Sequence, residues 1–194
     1  MNTALEQMHE IEPHIQIGRA RAGVLMLIVS DALSVVAILA AGGYLSALNV
    51  LGQFKGGDPA PAFFPGLLAA IVLVLSGLAY YMWERGVRKN GGAGQRGIFF
   101  LSLALIIIAL AAQIWVSVGL KYVSPFHAYA SLLLLLAWYS AFHLLLAAII
   151  GLLMVGRIFN GRLVDRGYIV EVTGYWWYYT VAAGLLMWLF SLVA

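Results

Sequence analysis

The chain has 194 residues, of which 63% are hydrophobic and only 10% charged, with a formal net charge of +3 and a mean hydropathy of +0.95. This composition is far too apolar for a soluble domain of that length and predicts an integral membrane protein. The absence of cysteine excludes disulfides, iron–sulfur clusters, thiolate zinc or copper centres and c-type haem attachment.

Residues 1–21 carry Glu6, Glu10 and Glu12 and no apolar core, so they do not resemble a cleaved signal peptide. We expect them to form a short N-terminal arm that lies at the membrane interface or contacts a partner. Residues 22–194 are predicted to form an all-α membrane domain, because five segments reach the roughly 20 apolar residues that a transmembrane helix needs. The predicted spans are residues 22–50, 62–83, 97–120, 127–156 and 174–194.

Lysine and arginine are distributed unequally between the two ends of the predicted bundle. Nine lie before the first span, between the second and third, or between the fourth and fifth, whereas only Lys55 and Lys121 lie at the other end. This asymmetry predicts a cytoplasmic N-terminus and a C-terminus outside. The positive charge therefore reflects topology, and nucleic acid is not an expected partner.

Asp31 is the only formally charged side chain inside any of the predicted spans. An ionisable group at this depth costs about 2.5 to 3.5 kcal/mol on insertion scales, so it normally faces protein or a water-filled cavity. Ser30 and Ser34 lie beside it, and Ser34 is positioned to hydrogen-bond the carboxyl group. Three interpretations stay open: packing of a protonated carboxyl, a role in proton transfer or subunit contact, and direct catalysis.

His143 lies at mid-depth in the fourth predicted span, with Tyr139 and Ser140 one turn before it. A lone histidine there is more simply explained by hydrogen-bonded structure than by metal ligation, and a haem–copper centre needs more imidazoles than this region offers. Gln113, in the third span, requires a hydrogen-bond partner. The aromatic run at residues 175–179 predicts a belt at the membrane boundary, with lipid or subunit recognition as the alternative.

Several short motifs, in order along the chain, resemble subunit III of the haem-copper terminal oxidases in its shorter five-helix form. Ser30-Asp31 stands where that family carries Ser-Glu or Ser-Asp, and Glu84-Arg85-Gly86 is similar to part of an Ala-Glu-Arg-Gly motif. Gln113-Ile114-Trp115 resembles Gln-x-Tyr-Glu, with Val116 replacing the acid.

Two further motifs show where the chain departs from the family. Counted from Tyr129-Ala130-Ser131, the family's spacing to two histidines places Ser140 at the first position and His143 at the second. Residues 175–180 stand where the family has Tyr-Trp-His-Phe-Val-Asp, so that Trp177 and Thr180 replace a histidine and an acid.

The resemblance implies a non-catalytic subunit of a proton-pumping terminal oxidase in the prokaryotic plasma membrane, supporting proton uptake, lipid binding and stability of the catalytic subunit. The chain itself would bind no metal or redox cofactor; haem and copper are expected in partner subunits, and phospholipid in a cleft beside them. The proton-support or interface role would fall on Asp31 and His143, with Ser30 and Ser34. Lipid or subunit contacts are assigned to six residues, namely Gln113, Trp115, Tyr139, Ser140, Trp176 and Trp177.

Two alternatives stay open. The first is a small proton-coupled transporter or channel, built as a homo-oligomer around Asp31. The second is an accessory subunit of a nitric-oxide-reducing relative or of another respiratory complex.

Overall fold

A computed structural model describes residues 13–49, 52, 54–55, 58–89, 95–120, 127–161 and 167–193. Within these residues the secondary structure is entirely helical, and the five helices are α1 (Pro13–Ala47), α2 (Phe63–Lys89), α3 (Arg96–Gly119), α4 (Ala128–Phe159) and α5 (Tyr168–Val193). Each is long and apolar enough to cross a membrane. The prediction of five transmembrane helices is therefore confirmed.

Two of the helices begin earlier than the hydropathy pattern suggested. Helix α1 begins at Pro13, so residues 13–21 of the predicted arm are helical, while residues 1–12 lie outside the described part of the chain. Proline suits the first turn of a helix, because its missing N–H would have no partner there anyway. Helix α5 begins at Tyr168, ahead of the predicted start at residue 174.

The C-terminal ends of α2 and α4 follow from their sequences. Arg88 and Lys89 occupy the last turn of α2, where positive charge stabilises the helix dipole. After α4, the Asn160 N–H donates to the Gly156 carbonyl, and Gly161 takes a φ of +67°. Glycine is favoured in that left-handed conformation because it has no Cβ, and the reversal ends the helix.

Helices α2 to α5 surround a common core, and α1 lies at its edge against α5 and α4. The larger buried cluster joins aromatic residues of α2, α3 and α5, and in it Tyr80 stacks on Trp177 with ring centroids 4.8 Å apart. Among the described residues of α1, only Val35 and Gly42 are buried. Helix α1 therefore leaves most of its surface uncovered.

Glycine permits the close approach of α1 to α4 at one point. A Cβ built on Gly42 would lie 2.6 Å from Cδ2 of Leu132, whereas one built on the neighbouring Gly43 would meet no atom within 4 Å. Small residues at such crossings are typical of helix packing in membranes. This crossing helps to hold the first helix, with its Asp31, against the bundle.

Candidate functional site

Asp31 lies where α1 meets α4 and α5, and three side chains contact its carboxyl group. The Tyr139 hydroxyl donates to Oδ1 over 2.6 Å, and the Tyr179 hydroxyl donates to Oδ2. His143 Nε2 also lies 2.6 Å from Oδ2. We call Asp31, Tyr139, His143 and Tyr179 the Asp31 cluster.

Helical spacing and helix packing together assemble the cluster. Tyr139 and His143 are four residues apart on α4, so they project from the same face. Tyr179 reaches the same carboxyl group from the middle of α5, and the Asp31 side chain crosses from α1. The cluster therefore links the peripheral helix to two helices of the core.

The second ring nitrogen of His143 determines which tautomer the imidazole adopts. His143 Nδ1 lies 2.8 Å from the backbone carbonyl oxygen of Tyr139. A carbonyl oxygen can only accept a hydrogen bond, so we assign the hydrogen to Nδ1. Nε2 is then the nitrogen that faces the Asp31 carboxyl group.

The Asp31 and His143 side chains can share one proton in two ways. Either Nε2–H donates to the carboxylate, or the protonated carboxyl donates to Nε2, and both arrangements have zero net charge. Loss of that proton would set the Nε2 lone pair against a carboxylate oxygen. The geometry thus suits a pair that shares a proton between its two members.

The two members of the pair differ in exposure. The His143 side chain is 2% exposed and the Asp31 side chain 20%. His143 is enclosed by aromatic rings, including Trp176, whose ring lies nearly parallel to the imidazole at a centroid distance of 5.9 Å. A group outside the cluster can therefore reach the carboxyl edge of Asp31 more easily than the imidazole.

The expected hydrogen bond from Ser34 to Asp31 is not formed. Ser34 Oγ donates instead to the backbone carbonyl of Ser30 over 3.3 Å. Two phenols and an imidazole already occupy the two carboxylate oxygens, which removes the need for a local hydroxyl donor. Ser30 and Ser34 are both exposed on α1 beside the cluster.

Gln113 and Ser140 lie together, away from the Asp31 cluster. Gln113 Nε2 donates to the Ala137 carbonyl over 3.1 Å, which supplies the partner that the sequence required. Both residues line a cavity of about 60 Å³ between α2, α3, α4 and α5, with room for about two water molecules. Trp115, by contrast, is 81% exposed on α3, where a lipid or another subunit could cover it.

Trp176 and Trp177 are buried inside the bundle and contact its own helices. Trp177 is fully buried, and its Nε1 donates to Ser76 Oγ of α2 over 3.1 Å. Thr180 is also buried and donates to the backbone carbonyl of Trp176 over 2.9 Å. The positions at which the resemblance expects a histidine and an acid thus hold an indole and a hydroxyl with partners of their own.

A second polar cluster joins α1, α2 and α5 near the first turn of α5. Glu171 Oε2 accepts from Arg21 Nη2 over 2.7 Å and lies 3.7 Å from Arg88 Nη2, while Oε1 accepts from the Tyr175 hydroxyl. Arg88 also donates to the buried Glu84, which accepts from Tyr178 as well. We call these residues the charge cluster.

The sequence interpretation gave no site role to Tyr179, Glu171 or Glu84, although Glu84 stands in one of the motifs that carry the resemblance. Tyr179 was assigned to the aromatic belt, and the two glutamates fell just outside the predicted spans. Spacing was the available signal, because Glu171, Tyr175 and Tyr179 follow one another at intervals of four residues on α5. Such a row lies on one face of a helix.

Within the described residues, no three His, Asp or Glu side chains come together in a way that could hold a metal ion. A comparison of the chain with protein-family models finds no match, and a comparison with curated proteins finds none.

Proposed function

We propose that this chain is a non-catalytic subunit of a proton-pumping haem-copper terminal oxidase, of the subunit III kind, and that the Asp31 cluster supports proton uptake. One observation carries the proposal. The resemblance assigned this role to Asp31 and His143, which lie on different helices, and these two side chains are in contact over 2.6 Å.

The electrostatics of the cluster support a proton-related role over simple packing. An isolated carboxylate at bilayer depth is costly, but the Asp31 and His143 pair can hold its proton with no net charge. Two phenols stabilise the carboxylate form by donating to both of its oxygens. The partly exposed edge of Asp31 on the uncovered helix α1 is where a catalytic subunit would reach the pair.

Two features elsewhere in the bundle fit the other parts of the proposal. An apolar groove of about 460 Å³ between α2 and α5, lined by Leu78, Tyr81, Val181 and Leu185 among others, offers room for a phospholipid chain. Arg21, Arg88 and the rest of the charge cluster would face the cytoplasm of a prokaryotic cell, with the C-terminus outside.

Gentle solubilisation of the native membrane tests the assignment to an oxidase. We expect the chain to copurify with a large subunit that carries haem and copper. Isolation of the native chain without any haem protein would refute it. The haem content of the partner would also distinguish an oxidase from a nitric-oxide-reducing relative.

The role of Asp31 is tested by Asp31→Ala in the intact complex. We expect the variant to be inserted normally but to lose several-fold in turnover and proton pumping, or to inactivate sooner during turnover. Val29→Ala is the control, because Val29 lies two residues from Asp31 on α1 and is 58% exposed. Unchanged turnover, pumping and working life in Asp31→Ala would leave Asp31 with a packing role alone.

A proton-coupled transporter built as a homo-oligomer is the second candidate, and the uncovered surface of α1 around Asp31 is the observation that favours it. Liposomes that contain only this chain would then carry a proton flux that Asp31→Ala abolishes. Liposomes without flux would exclude the transporter.

A further inference from the structure

We propose that Glu171 and Tyr175 form the entrance of a proton route that runs along α5 to the Asp31 cluster. This inference rests on the proposed proton role of Asp31. The inference adds to that role the end of the bundle at which the proton enters and two residues that carry the proton from there.

The row on α5 has protonatable groups along its length. Glu171, Tyr175 and Tyr179 are spaced by four residues and therefore share a face. Helix α1 contacts both ends of the row, since Arg21 binds Glu171 over 2.7 Å and Asp31 accepts from Tyr179. The row consequently follows the seam between α1 and α5.

Only one interval of the row lacks a direct hydrogen bond. Tyr175 donates to Glu171, and Tyr179 donates to Asp31. Side chains four residues apart have Cβ atoms about 6 Å apart and tilt in the same direction, so we expect a gap of about that size between the two phenols. One water molecule spans that distance with two hydrogen bonds of about 2.8 Å each.

The two ends of the row differ in their access to water. Glu171 is in the first turn of α5, and its partner Arg21 has a side chain that is 47% exposed. Between Arg21 and Asp31, the half-buried residues of α1 are the apolar Val24 and Ile28. A proton from the aqueous phase thus reaches Glu171 first and needs the α5 row to travel further.

Charged and titratable groups face both ends of the route. Glu171 is approached by Arg21 from α1 and by Arg88 from α2, and Arg88 is also bound to Glu84. At the other end, Asp31 is approached by Tyr139 and His143 from α4 and by Tyr179 from α5. The two arginines stabilise a carboxylate at the entrance, and Asp31 receives the proton at the end, beside the imidazole with which it can share it.

The transfer is a relay of O–H bonds that refills the Asp31 and His143 pair after its shared proton has been lost. When Glu171 is protonated, the Tyr175 hydroxyl turns its hydrogen from Glu171 to the bridging water. Glu171 then gives its hydrogen to the Tyr175 oxygen, and Tyr175 releases its own hydrogen to the water. The water passes a hydrogen to Tyr179, which releases its own to Oδ2 of Asp31. One O–H bond is lost at Glu171 and one is formed at Asp31, while both phenols and the water end unchanged.

Tyr178 provides a matched control on the same helix. Its hydroxyl donates to Glu84 of α2, just as the Tyr175 hydroxyl donates to Glu171. Tyr178→Phe therefore removes a phenol–carboxylate hydrogen bond from the same charge cluster without interrupting the row that leads to Asp31.

The test follows the arrival of the proton at Asp31 in the full chain, reconstituted in lipid nanodiscs. After a rapid drop in pH, time-resolved infrared absorption records the band of the protonated Asp31 carboxyl group. The band is identified by its loss in Asp31→Asn. We expect Tyr175→Phe and Glu171→Gln each to slow the rise of this band at least tenfold without changing its final amplitude, and Tyr178→Phe to leave the rate unchanged.

The double variant Tyr175→Phe/Glu171→Gln should be no slower than the slower single variant, because both residues lie on one route. Glu171→Gln keeps the size of the side chain and stands alone if Tyr175→Phe does not assemble. Wild-type rates in both single variants, equal slowing by Tyr178→Phe, or an Asp31 band that does not respond to pH would each overturn the route.

Failure of the route can be told apart from failure of the proposed function. If Asp31→Ala slows the oxidase while Tyr175→Phe keeps the wild-type infrared rate, the route is wrong and the function stands. If the infrared rates follow the prediction but the chain purifies without a haem protein, the route stands and the oxidase assignment is wrong.

Discussion

Replacing Asp31 by Leu and His143 by Phe, singly and together, tests whether the two side chains form one interacting unit. Asp31→Leu removes the acceptor of contacts from Tyr139, Tyr179 and His143. His143→Phe keeps an aromatic ring against Trp176 and leaves both phenols on the carboxylate. The two substitutions thus break the same contact from opposite sides.

The expected losses follow from what each substitution leaves without a partner. Asp31→Leu should cost about 3 kcal/mol of unfolding free energy, because breaking a buried pair leaves the other member uncompensated. His143→Phe should cost about 2 kcal/mol, since Asp31 keeps two donors and part of its exposure. The double variant leaves no unpaired imidazole, so its loss should be about 3 kcal/mol, which implies a coupling of about 2 kcal/mol.

These free energies are measured by equilibrium unfolding of the chain in mixed micelles. Increasing amounts of anionic detergent unfold the chain, and tryptophan fluorescence is the signal. Val29→Ala should stay within about 0.5 kcal/mol of the wild type, because surface substitutions away from special contacts rarely exceed that. A double variant whose loss equals the sum of the two single losses, within about 0.5 kcal/mol, would refute an interacting pair.

Two further predictions use the same unfolding measurement. Gly42→Leu should lower the unfolding free energy by about 1 to 3 kcal/mol, because the larger side chain overpacks against α4. Gly43→Leu should change the unfolding free energy little, because a side chain there meets open space. Equal effects of the two substitutions would contradict the close crossing of α1 and α4 at Gly42. Trp177→Phe should cost about 1 to 2 kcal/mol of unfolding free energy, because Ser76 loses a buried hydrogen-bond donor. Trp115→Phe, on the exposed surface, should be near neutral. A loss for Trp177→Phe no larger than that for Trp115→Phe would contradict this prediction.

The number of helices was predictable because the bilayer imposes a length and a composition on every spanning segment. Where each helix begins was less predictable, as α1 and α5 show at Pro13 and Tyr168. Hydropathy identifies the residues that suit the hydrocarbon core of a membrane, but a helix continues beyond that core wherever its backbone hydrogen bonds continue. Glu171 therefore belongs to a helix although the apolar pattern starts after it.

The candidate site was predictable only residue by residue. Asp31 and His143 were selected because polar groups at bilayer depth are costly and so require an explanation. Their contact was not predictable from composition or spacing, since it depends on how α1 and α4 are rotated toward each other. Tyr179 was assigned to a boundary belt because an aromatic run has the same composition whether it faces lipid or a carboxylate.

The sequence by itself determined that the described part of this protein forms five helices long and apolar enough to cross a membrane, with an ionisable group near the middle of the first. Hydrophobicity is summed over neighbouring residues, so the amino-acid sequence alone is enough to measure it. Only the tertiary structure decided that Asp31 binds His143 and two phenols, that Ser34 does not bind it, and that Trp177 is buried on Ser76. Hydrogen-bond partners depend on ångström distances between helices that are far apart in the chain, and packing sets those distances.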